Sequence, residues 1–198
     1  MSGIAQNTFP SQLVDTDWEA TEIVVPQSPL QTQILFVGGN DMVQTGRNQE
    51  TPSKQWHDFI GFTPVTQDDC IDDPNAIGWA SINHERIIAN DLIGDGGGMT
   101  AFLLGRDPSN DELYIIPQEL SDGREGEFFN VDFSAVGETG MNCGGINSNN
   151  DGRIWTAEEW FRTSNESIND GGNGVRDISD FTIKYTDFII CWECTTIF

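Results

Sequence analysis

Glycine, proline, aspartate and asparagine break this chain so often that no stretch sustains a long helical period. Between the breaks stand short runs rich in Val, Ile, Phe and Trp, which is the pattern of an all-β protein. Candidate strands are Glu22–Pro26, Gln33–Gly39, Ile77–Glu85, Arg86–Asn90, Met99–Asp107, Glu112–Pro117, Gly126–Phe133 and Gly152–Glu159. The segment MTAFLLGRDPSNDELYIIP reads as a hairpin turning at Asp107–Asp111. The single helix considered is a short one over Thr156–Glu166. Two long polar loops, Arg47–Asp58 and Ser164–Asp180, are rich in Asp, Asn and Gly, and loops of that length are commonly functional or mobile.

At 198 residues the chain has room for one domain with a real core or for two small ones, and it is read here as a single domain spanning 1–198. The last stretch, 181–198, is oddly apolar for a free terminus. It reads as a final strand, or as an irregular tail where a longer protein has been cut. No apolar run approaches the roughly 20 residues a membrane-spanning helix needs. The N-terminus MSGIAQNTFP lacks the basic and apolar regions of a secretion signal, so either the protein is cytoplasmic or a leader is missing from this chain.

The charge balance is 9 Lys+Arg against 32 Asp+Glu, a formal net charge of −23. That argues against nucleic acid and against anionic membrane surfaces, both of which require clustered cations. Two readings remain compatible: a solubilising acidic shell, and carboxylates that converge on hard cations such as calcium. The oligomeric state is not legible.

Four cysteines are present: Cys70, Cys143, Cys191 and Cys194. Their spacing gives no disulfide framework. The Cys191–Cys194 pair is a CxxC without a second CxxC, a weak signal for zinc or dithiol chemistry. The stretch MNCGGINSNNDGRIWTAEEWF carries more. Read as an EF-hand-like loop, it offers Asn147, Asn149, Asp151 and Glu158 as calcium ligands, with Gly152 at the sharp turn. The glycine-rich approach to it cannot supply the incoming helix of an EF-hand. A calcium site of other geometry and a plain polar turn stay open beside it.

Read from Cys143, the same stretch resembles the PhoX-type alkaline phosphatases, a family of secreted β-propeller phosphatases. Their signature of Asn-Cys, small residues, a turn, a Trp-containing strand and Glu-Glu stands here as NCGG, INSNNDGRIW and TAEE. HDFIGFTPV (57–65) looks like the family's Asn-Asp-Phe strand, GWASINHE (78–85) like its strand ending in Asn-His-Glu, and GGGMT (96–100) like its glycine-rich strand entry. The resemblance covers roughly residues 34–160.

It implies part of a β-propeller, about two or three blades, and hydrolysis of phosphate monoesters with calcium and iron as cofactors, in the periplasm or outside the cell. Cys143 would be an iron ligand. Glu159 or Glu158 would bind calcium or iron, with Glu159 favoured, and Glu85 and Asn83 would be further ligands. Each of these residues also has a plain reading: Cys143 as a small buried residue, one of the two glutamates as surface, His84 as a structural histidine, Trp155 and Trp160 as core, and Arg153, Arg162 and Arg176 as surface rather than phosphate clamps. The family's members are much longer, and no counterpart of their later ligands follows Asp180, so the resemblance reads this chain as the N-terminal portion of such an enzyme.

Overall fold

The strand from Met99 to Arg106 is buried along nearly its whole length on both sides, and the rest of the sheet is built around it. The structure is a computed structural model, and it describes residues 31–66, 69, 71–94, 96–133, 139–148 and 152–158. The account below concerns the compact unit that begins at Leu35. Its strands are β1 (Met42–Gly46), β2 (Gln49–Pro52), β3 (His57–Pro64), β4 (Ala76–His84), β5 (Met99–Arg106), β6 (Leu113–Ile116), β7 (Gln118–Glu119), β8 (Glu125–Gly126), β9 (Phe129–Asn130), β10 (Asn142–Asn147) and β11 (Ile154–Glu158). Among the described residues there is no helix. Seven strands form one mixed sheet in the order β2-β1-β9-β5-β4-β3, with β6 also on β5; β10–β11 and β7–β8 are separate hairpins.

A strand buried on both faces reads as a continuous apolar run rather than as alternation, and MTAFLLG does so. Cross-strand partners share a face, so the register of β4 on β5 sorts the two sides. Ala80, Ile82, Phe102 and Leu104 face one way and join Val43 and Phe128 in the main core. Ser81, Met99, Ala101 and Leu103 face the other way and are fully buried as well. The β10–β11 hairpin lies over the β3–β4 part of that second face, with Ile154 against Gly61.

The covering hairpin approaches closely because two positions lack a side chain. A Cβ on Gly61 of β3 would lie 2.7 Å from the Ile154 side chain, and one on Gly145 of β10 would lie 2.3 Å from the Phe59 ring and 2.6 Å from the Trp155 carbonyl. Thr63 and Asn147 add hydrogen bonds to the Gly152 and Phe62 carbonyls across the same interface.

The β5–β6 hairpin turns where the sequence places it. The Asp107 carboxylate accepts from the Ser109 N–H at 2.8 Å, an Asx turn, and Asp111 takes a φ of 62° to close the loop. Arg106 then faces Leu113 in antiparallel register.

Elsewhere the sequence reading needs correction. Residues 33–39 and 86–90 form no strand, and Gly126–Phe133 is no single strand: Gly126 ends β8 and only β9 joins the main sheet. The polar β1–β2 hairpin falls partly inside the expected Arg47–Asp58 loop; its backbone ladder and its burial of Val43 form it, not apolar alternation. The expected helix over Thr156–Glu166 fails at its start, because Thr156–Glu158 pair with β10 as strand; its later residues lie outside the described residues. So do Glu22–Pro26, the Ser164–Asp180 loop, the 181–198 tail, Cys70, Cys191 and Cys194.

Gly145→Ala tests the hairpin packing. The added methyl meets the Phe59 ring of β3, which is held by the sheet beneath it, so the variant is expected to lose about 1–3 kcal/mol of stability in a denaturant titration. An unchanged midpoint would mean that the hairpin does not sit tightly on β3.

Candidate metal centre

Asp58, Glu85 and Cys143 come from three separate parts of the chain, and each offers a ligand atom within 4.8 Å of the other two. No other group of three Asp, Glu, His or Cys side chains with this geometry occurs among the described residues.

Asp58 reaches the cluster through an irregularity in β3. The register against β4 shifts between His57 and Ile60, a β-bulge. Bulges re-aim side chains at sheet edges and beside functional sites. Here the bulge pairs His57 with His84 and leaves Asp58 facing Cys143. Glu85 follows directly on the end of β4, its N–H bonded to the Trp56 carbonyl at 2.9 Å.

Cys143 is held through its backbone. The fully buried Asn83 amide donates to the carbonyls of Cys143 at 2.9 Å and Gly144 at 3.0 Å. Asn142, also fully buried, accepts from the Gly98 N–H at 3.0 Å and donates to Thr156. The thiol donates to the Asp58 carboxylate at 3.0 Å.

The Asp58 hydrogen bond, then burial, then the neighbouring Glu85 push the Cys143 thiol up to about 12. Alone, therefore, the cluster keeps a protonated thiol between two acids. Two carboxylates this close repel by roughly 1 kcal/mol in water-like surroundings and by a few where half-buried. A cation reverses both effects, since it deprotonates a coordinating thiol and neutralises the acids. The donor set fits one: two hard oxygens and one soft sulfur suit a borderline transition cation, and the two oxygens alone suit calcium. The Asn83 side-chain oxygen is buried and has no donor among the described residues, so the site has a further unpaired oxygen close to the Cys143 strand.

Three consecutive residues are sorted to three tasks. Asn83 anchors the hairpin. Glu85 enters the cluster. His84 points into the core, where its Nε2 lies 2.8 Å from Thr100 Oγ1 and its ring lies 5.1 Å from that of His57 and 6.0 Å from that of Phe36. His84 is therefore a structural histidine. Burial first, then the positive neighbours His57 and Lys54, hold it down to about 3.

Of the residues expected in the site, Cys143 and Glu85 are brought together and Asn83 supports them. Glu158 is not: its register partner is Asn142, and its carboxylate accepts from the Gly140 N–H at 3.0 Å. Glu159 lies outside the described residues. The calcium loop has its turn, with Gly152 at a φ of 68°, but strands flank it in place of helices. Asn147 pairs with Ile154 at one end of the hairpin and Glu158 with Asn142 at the other. That separation is about 15 Å along a strand, so one ion does not span both. Asn149 and Asp151 lie outside the described residues.

Asp58 was not among the expected ligands. Its signal lies in HDFIGFTPV, whose likeness concerns the strand and does not single out the acid. A cavity of about 190 Å³ lined by Asp91, Gly94, Asn130 and Asp132 contains none of the three ligand candidates. No protein-family model, curated protein or solved structure matches the chain.

The neutral His84 sets a pH dependence. The unfolded ring takes up a proton near pH 6.5 and the folded one only near 3. Stability from this group is complete above pH 6.5 and is lost as pH falls towards 3. Between pH 7 and pH 4 the chelator-treated protein should lose about 3 kcal/mol from this source, and His84→Gln should lose less over the same span. Parallel stability–pH curves for the two proteins would show that His84 does not carry the effect.

Proposed function

We propose that Asp58, Glu85 and Cys143 form the metal centre of a metal-dependent hydrolase of phosphate monoesters, of the kind the PhoX resemblance implies. The observation that carries this reading is where the three ligand groups originate. HDFIGFTPV, GWASINHE and NCGG are three of the segments on which the resemblance rests, and each contributes one ligand to a cluster within 4.8 Å. Chance sequence likeness gives no reason for those segments to converge in space on matched donors.

Cys143 and the two carboxylates would hold an iron-type cation, with calcium drawn to the carboxylates. A bound cation here would polarise phosphoryl oxygens and offset charge on the leaving oxygen. The chain's own residues do the placing: Asn83 fixes the Cys143 backbone, the β3 bulge aims Asp58, and the Trp56 carbonyl fixes the start of the Glu85 segment. The four consecutive antiparallel strands β3-β4-β5-β6 follow the up-and-down order of a propeller blade, which supports the blade reading of the fold.

Elemental analysis and calorimetric titration of the purified chain test this, together with hydrolysis of 4-nitrophenyl phosphate before and after chelation. Cys143→Ser should weaken binding of a transition cation at least tenfold, as losing a soft ligand does, and leave calcium affinity within about twofold. Asp58→Asn should weaken both. If iron binds Cys143→Ser as it binds the wild type, the thiolate assignment is wrong. Calcium binding without turnover in any metal state would make the protein a calcium-binding module rather than a phosphatase.

A further inference from the structure

Trp56 stands out beside the metal centre. It is a bulky residue at a φ of 60°, in the left-handed region that such side chains avoid. Two backbone hydrogen bonds bracket that conformation: the Glu85 N–H to the Trp56 carbonyl at 2.9 Å and the Arg86 N–H to the Gln55 carbonyl at 3.3 Å. Backbone held in a sparsely populated region concentrates at ligand sites. The result here is an indole 61% exposed to solvent, two residues before Asp58. Burial therefore does not explain its position.

Over that ring sits the Arg86 guanidinium, 5.8 Å from the centroid. Arg86 directly follows Glu85, so its backbone starts about 4 Å from that of a ligand residue. No hydrogen bond or ion pair among the described residues engages its guanidinium. Two other cations near the sheet are already committed. Arg124 is bound to Asp122 and to the Gln44 and Asn130 carbonyls. Lys54 is buried and donates to the Ile88 and Gly94 carbonyls. In a chain with only 9 Lys and Arg, a guanidinium without a hydrogen-bond partner, on the residue next to a ligand candidate, is a group suited to a phosphoryl dianion.

We propose that Arg86 and Trp56 form the substrate arm of the site: Arg86 grips the phosphoryl oxygens and Trp56 stacks on a flat or apolar alcohol group. The favoured substrates are then aryl and other ring-bearing phosphate monoesters. The arm rests on the phosphatase reading above, because it needs the cation at Asp58, Glu85 and Cys143 as the second partner of the phosphate.

Calorimetry on the metal-loaded full chain separates the two proposals, with the metal alone, inorganic phosphate and 4-nitrophenyl phosphate as successive titrants. Arg86→Gln should weaken both phosphate probes by about tenfold and leave metal affinity within twofold, and Arg86→Lys should recover part of the loss. Trp56→Gly suits the left-handed backbone, so the fold is kept. It should weaken 4-nitrophenyl phosphate about fivefold and leave inorganic phosphate within twofold. If the metal loads and Arg86→Gln binds phosphate like the wild type, the arm is overturned and the pair is a surface stack. If the wild type takes up no cation, the metal-centre reading falls and the arm falls with it.

Discussion

The Asn83 side chain is the joint on which the site depends. It is fully buried between the sheet and the β10–β11 hairpin, and its amide donates to two successive carbonyls of that hairpin. An unsatisfied buried carbonyl costs about 1–3 kcal/mol, so this fork sets the height and register at which the hairpin lies on the sheet. Gly61 and Gly145 permit the close approach, and Ile154 fills the space it creates. Cys143 owes its place above Asp58 and Glu85 to this packing and not to its own side chain. The amide's remaining oxygen finds no donor among the described residues, which leaves the polar layer incomplete beside the cluster.

The bulge in β3 is the second constraint. A regular ladder would carry its residues past β4 in strict alternation, with one face for each. The extra residue instead sets the exposed His57 against the buried His84, ring centroids 5.1 Å apart, and turns Asp58 to the thiol. A single backbone irregularity thus separates the buried His84 from a partly exposed acidic cluster only one residue away. That separation explains how Asn83, His84 and Glu85 do unrelated work in adjacent positions.

Charge gives these local facts a common direction. A protein of net charge −23 repels a phosphate dianion at long range. Any site for such a ligand needs concentrated positive charge, and among the described residues the cluster of Asp58, Glu85 and Cys143 is one where a cation would relieve local repulsion. With the thiol pushed up to about 12 by its acidic neighbours, thiolate character at this position depends on a cation arriving. The exposed Trp56 and the Arg86 over its ring neighbour Asp58 and Glu85 along the chain.

The sequence by itself determined the all-β class, the β4, β5 and β6 strands and the β5–β6 turn, because apolar runs, Asx residues and glycines act locally. It also singled out Cys143, Glu85 and Asn83, though through likeness to known segments and not through their chemistry. The polar β1–β2 hairpin stayed hidden because backbone pairing forms it without an apolar signature. Asp58 stayed hidden because the alternation of β3 does not announce a bulge. Glu158 pointed the wrong way because its position depends on pairing with Asn142, a choice made by the register of β10 on β11. Only the tertiary structure decided which acids meet the thiol. Convergence is a property of three strands packed at one height, and that height comes from long-range contacts between Asn83, Gly61, Gly145 and Ile154, whose physics no local window of sequence contains.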